Sequence, residues 1–468
     1  MESLPEELKV YVASFLIRLQ DLAHLALVSS RLLDSARWNL YRRVILRSNL
    51  PSSQDTIALI LRSPTLSKGI RAIHIKTDEV RDDQHPVSIW IDKDIFHGMD
   101  QLRKVAFQGL PCANFQELVA SVYSHCPEVH EIIAIDIGQW PSNRSRESVT
   151  GLNTQLVVPL SLRRIIFRSG FYPDLKILLP STGLTPASRL EVLDLSVERS
   201  TDILEAISSL CFPHLTTLKI AGFDARSSRT LIKFLSSNPS IEAVSLLKSE
   251  ALIVHDRGTK VLPNLRSICG TPRFLSALST ICDKVKDVEV LNIDYYKCPS
   301  VTTASIPLVQ SFKVFPNLKH FSAQSHLAAF ADDFLRLLSA SKGLQWWTGG
   351  FNFRFLDTVR YVMTSMAHFL PDLKRIDLYT WTTPGPLSDQ QRGALHDLAR
   401  EIPSLEKICL FNDEYGSNVI VATYRVKRED STLCLIRPSQ VELEECPQYV
   451  AMDTTDWEHD PVLENLLP

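Results

Sequence analysis

Residues able to do covalent or metal chemistry are sparse and badly spaced in this 468-residue chain. The nine cysteines include no CxxC pair, and the sequence has no zinc-ligand spacing, HExxH, GxSxG, GxGxxG or GxxxxGK[ST] motif. His125-Cys126 and His130-Glu131 bring thiol, imidazole and carboxylate close together. They flank the start of an apolar strand pattern, so a buried thiol and a surface histidine are expected rather than a nucleophilic pair. Asn143-Arg144-Ser145 has the form of a glycosylation sequon and reads as a polar loop. The notable side chains are of another kind: Trp346, Arg375, Tyr379, Trp381 and Phe411 gather late in the chain. Trp, Tyr and Arg are the types that dominate protein interfaces. The chemistry on offer is recognition, with no cofactor and no metal implied.

Composition narrows the classes further. With 50 Lys plus Arg against 53 Asp plus Glu, the net charge is −3, which argues against a general phosphate-backbone binder. The 45% hydrophobic and 22% charged content is that of a folded globular protein. An odd number of cysteines implies reduced thiols, most of them buried. The N-terminus lacks the charged and apolar regions of a signal peptide, and no run of eighteen apolar residues suggests a membrane span. The expectation is a cytoplasmic or nuclear protein.

An apolar-x-x-apolar-x-apolar pattern recurs along the chain. Clear copies are Ile70/Ile73/Ile75, Leu102/Val105/Phe107, Leu162/Ile165/Phe167, Leu190/Leu193/Leu195 and Leu215/Leu218/Ile220. Others are Ile241/Val244/Leu246, Val288/Leu291/Ile293, Leu373/Ile376/Leu378 and Leu405/Ile408/Leu410, with weaker copies starting at Val129, Leu265, Leu318 and Leu344. From Leu102 onward the starts lie 23 to 33 residues apart. Seven copies carry a proline two residues before the first apolar position, where it ends a helix and favours extended entry into a strand. Amphipathic stretches such as Leu231–Leu235, Phe330–Leu338, Val359–Phe369 and Leu395–Ala399 lie between the patterns. Strand-helix units of this length cannot bury their apolar faces singly but can when stacked. A doubly wound α/β fold also alternates strand and helix, but the regular interval and the prolines favour an irregular leucine-rich-repeat-like solenoid, a horseshoe without an asparagine ladder.

In such an array the alternate strand positions line the concave face. These are Lys104, Glu131, Arg164, Arg168, Asp194 and Lys219 early on, and Trp346, Arg375, Asp377, Tyr379, Lys407 and Phe411 late, with Trp381 just beyond a strand. The late aromatics either contact a bound protein or close the end of the core, as expected of Trp347 at a core position. Val419–Val426 and Thr432–Ile436 read as a hairpin around Lys427–Asp430. From Val441 onward there are eight acidic residues and no Lys or Arg, a tail that is either solvated or returned along a basic surface.

The first 47 residues differ from the rest. Ser3-Leu4-Pro5-Glu6 forms a helix start, followed by Leu8, Val12, Phe15 and Leu16 on one stripe, widened by Val10, Tyr11, Ala13 and Ile17. Asp21 and Ser29 or Ser30 open two more short helices. Three such helices cannot bury this apolar surface among themselves, so it faces either the solenoid as a cap or another protein. Leu4-Pro5-Glu6-Glu7-Leu8, Val12, Leu16, Asp21-Leu22, Leu25 and Leu27-Val28-Ser29 resemble the F-box motif. Leu40–Leu46 resembles the stretch by which fungal F-box proteins enter their second domain. The resemblance covers about a tenth of the chain, and Ile17–Gln20 departs from the family's more polar turn. It implies that Leu4, Pro5, Leu8, Val12, Leu16, Leu22, Leu25 and Val28 grip a Skp-type adaptor and through it a cullin-RING ligase. Leu25 and Val12 could instead hold the helices together.

The expected fold is therefore α/β: a three-helix F-box over 1–47, a leucine-rich-repeat-like solenoid over 48–412, and a capping hairpin with an acidic tail over 413–468. The expected function is the non-catalytic substrate-recognition subunit of an SCF-type ubiquitin ligase, binding an unnamed protein substrate at Trp346, Arg375, Tyr379, Trp381 and Phe411. Membrane and nucleic-acid partners are not expected. Two alternatives stay open: an F-box scaffold acting outside ubiquitination, and a repeat protein whose N-terminal helices are only a cap.

Overall fold

The computed structural model describes residues 41–47, 51–77, 91–137, 158–169, 189–197, 210–221, 228–247, 261–282, 287–293, 315–326, 343–350, 370–380, 389–412, 419–429 and 432–436. Isolated described positions are Lys9, His24, Leu25, Leu27, Leu32, Ala36, Ser208, Lys284 and His368. The chain forms two compact units, one built mainly from Met1–Phe223 and Thr230–Ile241, the other mainly from Glu242–Asp460.

The first unit is a parallel sheet of strands β1 (Arg43–Arg47), β2 (Ala72–Lys76), β3 (Lys104–Gln108), β4 (Glu131–Ile135), β5 (Arg164–Ser169), β6 (Val192–Val197) and β7 (Thr217–Ala221). Helices α1 (Pro51–Arg62), α2 (Pro64–Gly69), α3 (Cys112–His125) and α4 (Ser228–Ser237) supply its helical connections. The second unit continues the same plan with β8 (Ala243–Leu247), β9 (Ser267–Gly270), β10 (Val290–Ile293), β11 (His320–His326), β12 (Trp346–Gly350), β13 (Arg375–Thr380) and β14 (Lys407–Asn412). Its helices are α5 (Pro272–Ile281) and α6 (Asp389–Glu401). Strands β15 (Val419–Glu429) and β16 (Thr432–Ile436) follow as an antiparallel pair on β14. Within each unit every strand pairs with its neighbours in sequence, without the order reversal of a doubly wound sheet. The result is a mixed α/β architecture with a long parallel sheet, consistent with a leucine-rich-repeat-like array.

Each apolar pattern leads into one of these strands, and all thirteen first positions, from Ile70 to Leu405, are buried. The proline motif makes a turn rather than a simple extended entry. In all seven copies the N–H of the first apolar residue donates to the carbonyl of the residue before proline, at 3.1–3.3 Å. Proline thus sits second in a β-turn, where its fixed φ is already suitable. The residue before it (Cys126, Phe212, Asn238, Leu262, Phe315, Leu370 or Ile402) is buried. A serine staple follows in three repeats: Ser161, Ser240 and Ser404 each donate Oγ–H to the first apolar residue of the preceding repeat, Val129, Leu215 and Leu373.

The C-terminal hairpin is tighter than the sequence suggests. Lys427, Arg428 and Glu429 pair with Cys434, Leu433 and Thr432, so three of the four residues expected in the turn are strand. Arg428 donates to the carbonyls of Ala399, Ile402 and Leu405, satisfying acceptors at the α6 C-terminus. The stretches 330–338 and 359–367, together with the tail from Val441, lie outside the described residues.

Candidate functional site on the strand faces

In the second unit, the register rows of β11 to β14 decide which side chains meet. His320, Trp346, Arg375 and Lys407 are aligned across four strands, and Ser322, Thr348, Asp377 and Cys409 form the next row on the same face. The intervening residues, Phe321, Trp347, Ile376 and Ile408, turn into the core. The alternation follows from the strand period of two.

The centre of the cluster is Asp377, whose side chain is 0% exposed. A buried carboxylate needs matched donors. Here Arg375 Nε donates to Oδ1 at 2.8 Å, Trp346 Nε1 donates to Oδ2 at 2.7 Å, and Thr348 Oγ1 lies 3.3 Å from Oδ2. His320 Nε2 lies 3.2 Å from Thr348 Oγ1. If the threonine hydroxyl donates to Asp377, it accepts from His320, which places the imidazole proton on Nε2. Burial first, and the Arg375 charge second, push the His320 pKa down to about 3, so the ring is neutral. The Trp346 indole is sandwiched: His320 stacks on it at 3.9 Å with planes 10° apart, and the Arg375 guanidinium lies 4.0 Å from its centroid. Both ring faces are therefore occupied within the protein, and the half-buried indole presents what remains exposed of it beside a guanidinium.

Among the expected contact residues, Trp346 and Arg375 are brought together. Tyr379 and Phe411 are register partners on β13 and β14, further along the strands, and their side chains are not described. Trp381 lies outside the described residues. Sequence reasoning missed His320 and Thr348, although both occupy strand-face positions of the weaker patterns beginning at Leu318 and Leu344. It placed Asp377 on the face without recognising it as the hub.

The first unit holds its strand-face charges in two ion-pair networks. Glu131 bridges Lys104 at 3.1 Å and Arg164 at 3.0 Å. Asp194, almost fully buried, meets Arg168 at 3.1 Å and Lys219 at 3.8 Å. His74, buried on the same face, has its pKa pushed down to about 4, by burial first and then by Lys76. Cys126 is buried, and its thiol pKa is pushed up to about 12, by burial first and then by Asp100, so it is not an activated nucleophile at neutral pH. Among the described residues no group of His, Cys, Asp or Glu is placed to hold a metal ion, and no helix is long and apolar enough to cross a membrane.

Of the expected adaptor-contacting residues, only Leu25 is described: it is helical and half-buried. Leu4, Pro5, Leu8, Val12, Leu16, Leu22 and Val28 lie outside the described residues. In the same segment Leu32 and Ala36 are helical and buried, while Leu27 is helical and 84% exposed.

No protein-family model matches the chain, and no curated protein matches it. Among solved structures, the leucine-rich repeat-containing protein LegL7 from Legionella pneumophila is similar over 77% of this chain and 100% of its own, at 12% identity and a TM-score of 0.36. Rad7, from the yeast Rad7–Elc1 complex structure, is similar over 82% of this chain and 91% of that one, also at 12% identity and a TM-score of 0.36. A Bacteroides fragilis protein covers 80% of this chain at 13% identity and a TM-score of 0.24. Likeness at this level identifies no family.

Proposed function

We propose that the chain is the substrate-recognition subunit of an SCF-type ubiquitin ligase. Residues 1–47 bind a Skp-type adaptor, and the strand face of the second unit around Trp346 and Arg375 receives a protein substrate. The observation that carries the adaptor end is Leu27, an 84% exposed leucine inside the segment with the F-box-like motif, beside the buried Leu32 and Ala36. Covering one such side chain is worth roughly 1.5–3 kcal/mol before association costs. The substrate end is supported by a tryptophan and an arginine held rigidly on a buried carboxylate, so little side-chain entropy is lost when a partner arrives. The protein itself does no bond chemistry; it brings a substrate close to a ubiquitin-charged enzyme that other subunits recruit.

The test is ubiquitination of partners labelled by proximity in cells under proteasome inhibition. Wild type is expected to accumulate ubiquitinated partners, and a chain with Leu4→Glu, Pro5→Glu and Leu8→Glu is not. Equal accumulation refutes the ligase reading. Adaptor binding without any ubiquitinated partner favours a scaffold role instead.

A further inference from the structure

One row of side chains is separate from the strand-face site. At each strand entrance a single carbonyl accepts two N–H groups of the next repeat, which fixes the residues bearing those carbonyls in line. In the first unit the row reads Arg42, Arg71, Arg103, His130 and Arg163, and then passes to Glu191 and Thr216. Arg71 N donates to Arg42 O at 2.9 Å, Arg103 N to Arg71 O at 2.8 Å, His130 N to Arg103 O at 2.7 Å, and Arg163 N to His130 O at 2.8 Å. Arg42 and Arg103 are exposed, and neither has an ion pair among the described residues. Arg71 bonds the Gln101 side chain at 2.6 Å, and Arg163 meets Glu191 at 3.5 Å. The guanidinium of Arg71 is held below its ordinary pKa by partial burial first, then by Arg103 and Arg42, with Asp100 opposing. These arginines are therefore close enough to repel.

The same row in the second unit is composed differently. It runs Glu242, Arg266, Glu289, Lys319, Gln345, Lys374 and Glu406: the sign alternates as far as Lys319, and ion pairs close Glu289 to Lys319 at 3.0 Å and Lys374 to Glu406 at 3.9 Å. Alternation stabilises neighbouring strands, whereas like charges side by side destabilise them. The row in the first unit gives up that benefit from Arg42 through Arg71 to Arg103 and regains it only where Arg163 meets Glu191.

We propose that the Arg42–Arg71–Arg103–His130–Arg163 row is a docking ridge for an acidic protein segment. Strands about 4.8 Å apart give a line roughly 19 Å long. Carboxylates on one face of a helix recur three and four residues apart, about 5–6 Å between Cβ atoms, close to that spacing. A nucleic-acid duplex presents two phosphate strands across a groove about 12 Å wide and needs a second line of free cations. The adjacent strand positions do not supply one, because Glu131 engages both Lys104 and Arg164. A net charge of −3 also opposes a general polyanion binder. The ridge stands independently of the ligase reading.

Fluorescence anisotropy on the full chain tests it. The probe is a helix-forming peptide of about 16 residues, roughly 24 Å long, with Glu at every fourth position. A Gln version and a DNA duplex serve as comparisons. The Glu peptide is expected to bind with a steep salt dependence, and Arg71→Glu with Arg103→Glu to weaken it at least about tenfold. The melting temperature of the single variant Arg71→Glu, which sets a carboxylate between Arg42 and Arg103, is expected to stay level or rise; a fall would mark the row as structural and overturn the proposal. The proposal is overturned if the Glu peptide fails to bind, if its affinity is unchanged in the variant, or if the duplex binds more tightly. Binding that emerges only when the eight acidic residues between Glu442 and Glu464 are neutralised would assign the ridge to the chain's own tail, and also overturns the partner assignment.

Discussion

Asp377 holds three donors from two adjacent strands, so its removal strands several polar groups at once. Asp377→Ala is expected to cost about 3 kcal/mol in chemical denaturation of the full chain, because Trp346 Nε1 and Arg375 lose their acceptor. Trp346→Phe keeps an aromatic ring but removes one hydrogen bond and part of the surface stacked by His320 and Arg375, so a loss of about 1–2 kcal/mol is expected. A double-mutant cycle between the two should give a coupling of about 1 kcal/mol, and additivity would mean that the bond contributes nothing. The buried imidazoles set a pH dependence. His320 and His74 have pKa values pushed down to about 3 and about 4 from 6.5. Between about pH 6.5 and those values the unfolded chain binds protons that the folded rings refuse. Their contribution to stability is therefore complete above pH 6.5 and declines as pH falls. Melting temperatures measured from pH 7 to pH 4 should fall less steeply for His320→Gln than for wild type, and an identical slope would contradict the neutral, buried ring.

At the scale of the element, the repeat rests on a turn, a staple and a core position. Asn238 accepts from Phe212 N at 2.6 Å and donates to the carbonyls of Leu210 and Phe234 at 3.2 and 2.8 Å, all from a buried site. Asn238→Ala is expected to destabilise by about 3 kcal/mol, whereas Ser404→Ala, losing one bond at 2.8 Å to Leu373 O, should cost about 1 kcal/mol. Urea midpoints distinguish them, and equal shifts would count against the turn as the main tie. The apolar first positions and the prolines made the strands legible, because burial on one face and a fixed φ both leave local marks. The copies beginning at Leu265 and Leu344 were faint for a packing reason. Gly270 and Gly349 stand at their third positions, and the rings of Phe274 and Trp347 fill the space a larger side chain would need. The residue chosen there depends on a bulky neighbour, which no local period records. The Asp377 cluster was half legible: alternation placed Trp346, Arg375 and Asp377 on one face, but hydrogen bonds between strands some thirty residues apart decide which of them meet.

At the scale of the molecule, two units of parallel strands follow a segment whose described residues include both buried and exposed apolar side chains. The strand faces carry charge in closed networks around Glu131, Asp194 and Asp377, whereas Leu27, Arg42 and Arg103 stay exposed. The account of function depends first on what covers the N-terminal segment. The most direct measurement is titration of the purified full chain with a purified Skp-type adaptor by isothermal calorimetry. Wild type is expected to bind one adaptor with the negative heat-capacity change of apolar burial, and Leu27→Glu combined with Leu8→Glu to abolish the signal without lowering the melting temperature. No heat and no co-elution with wild type would contradict the account.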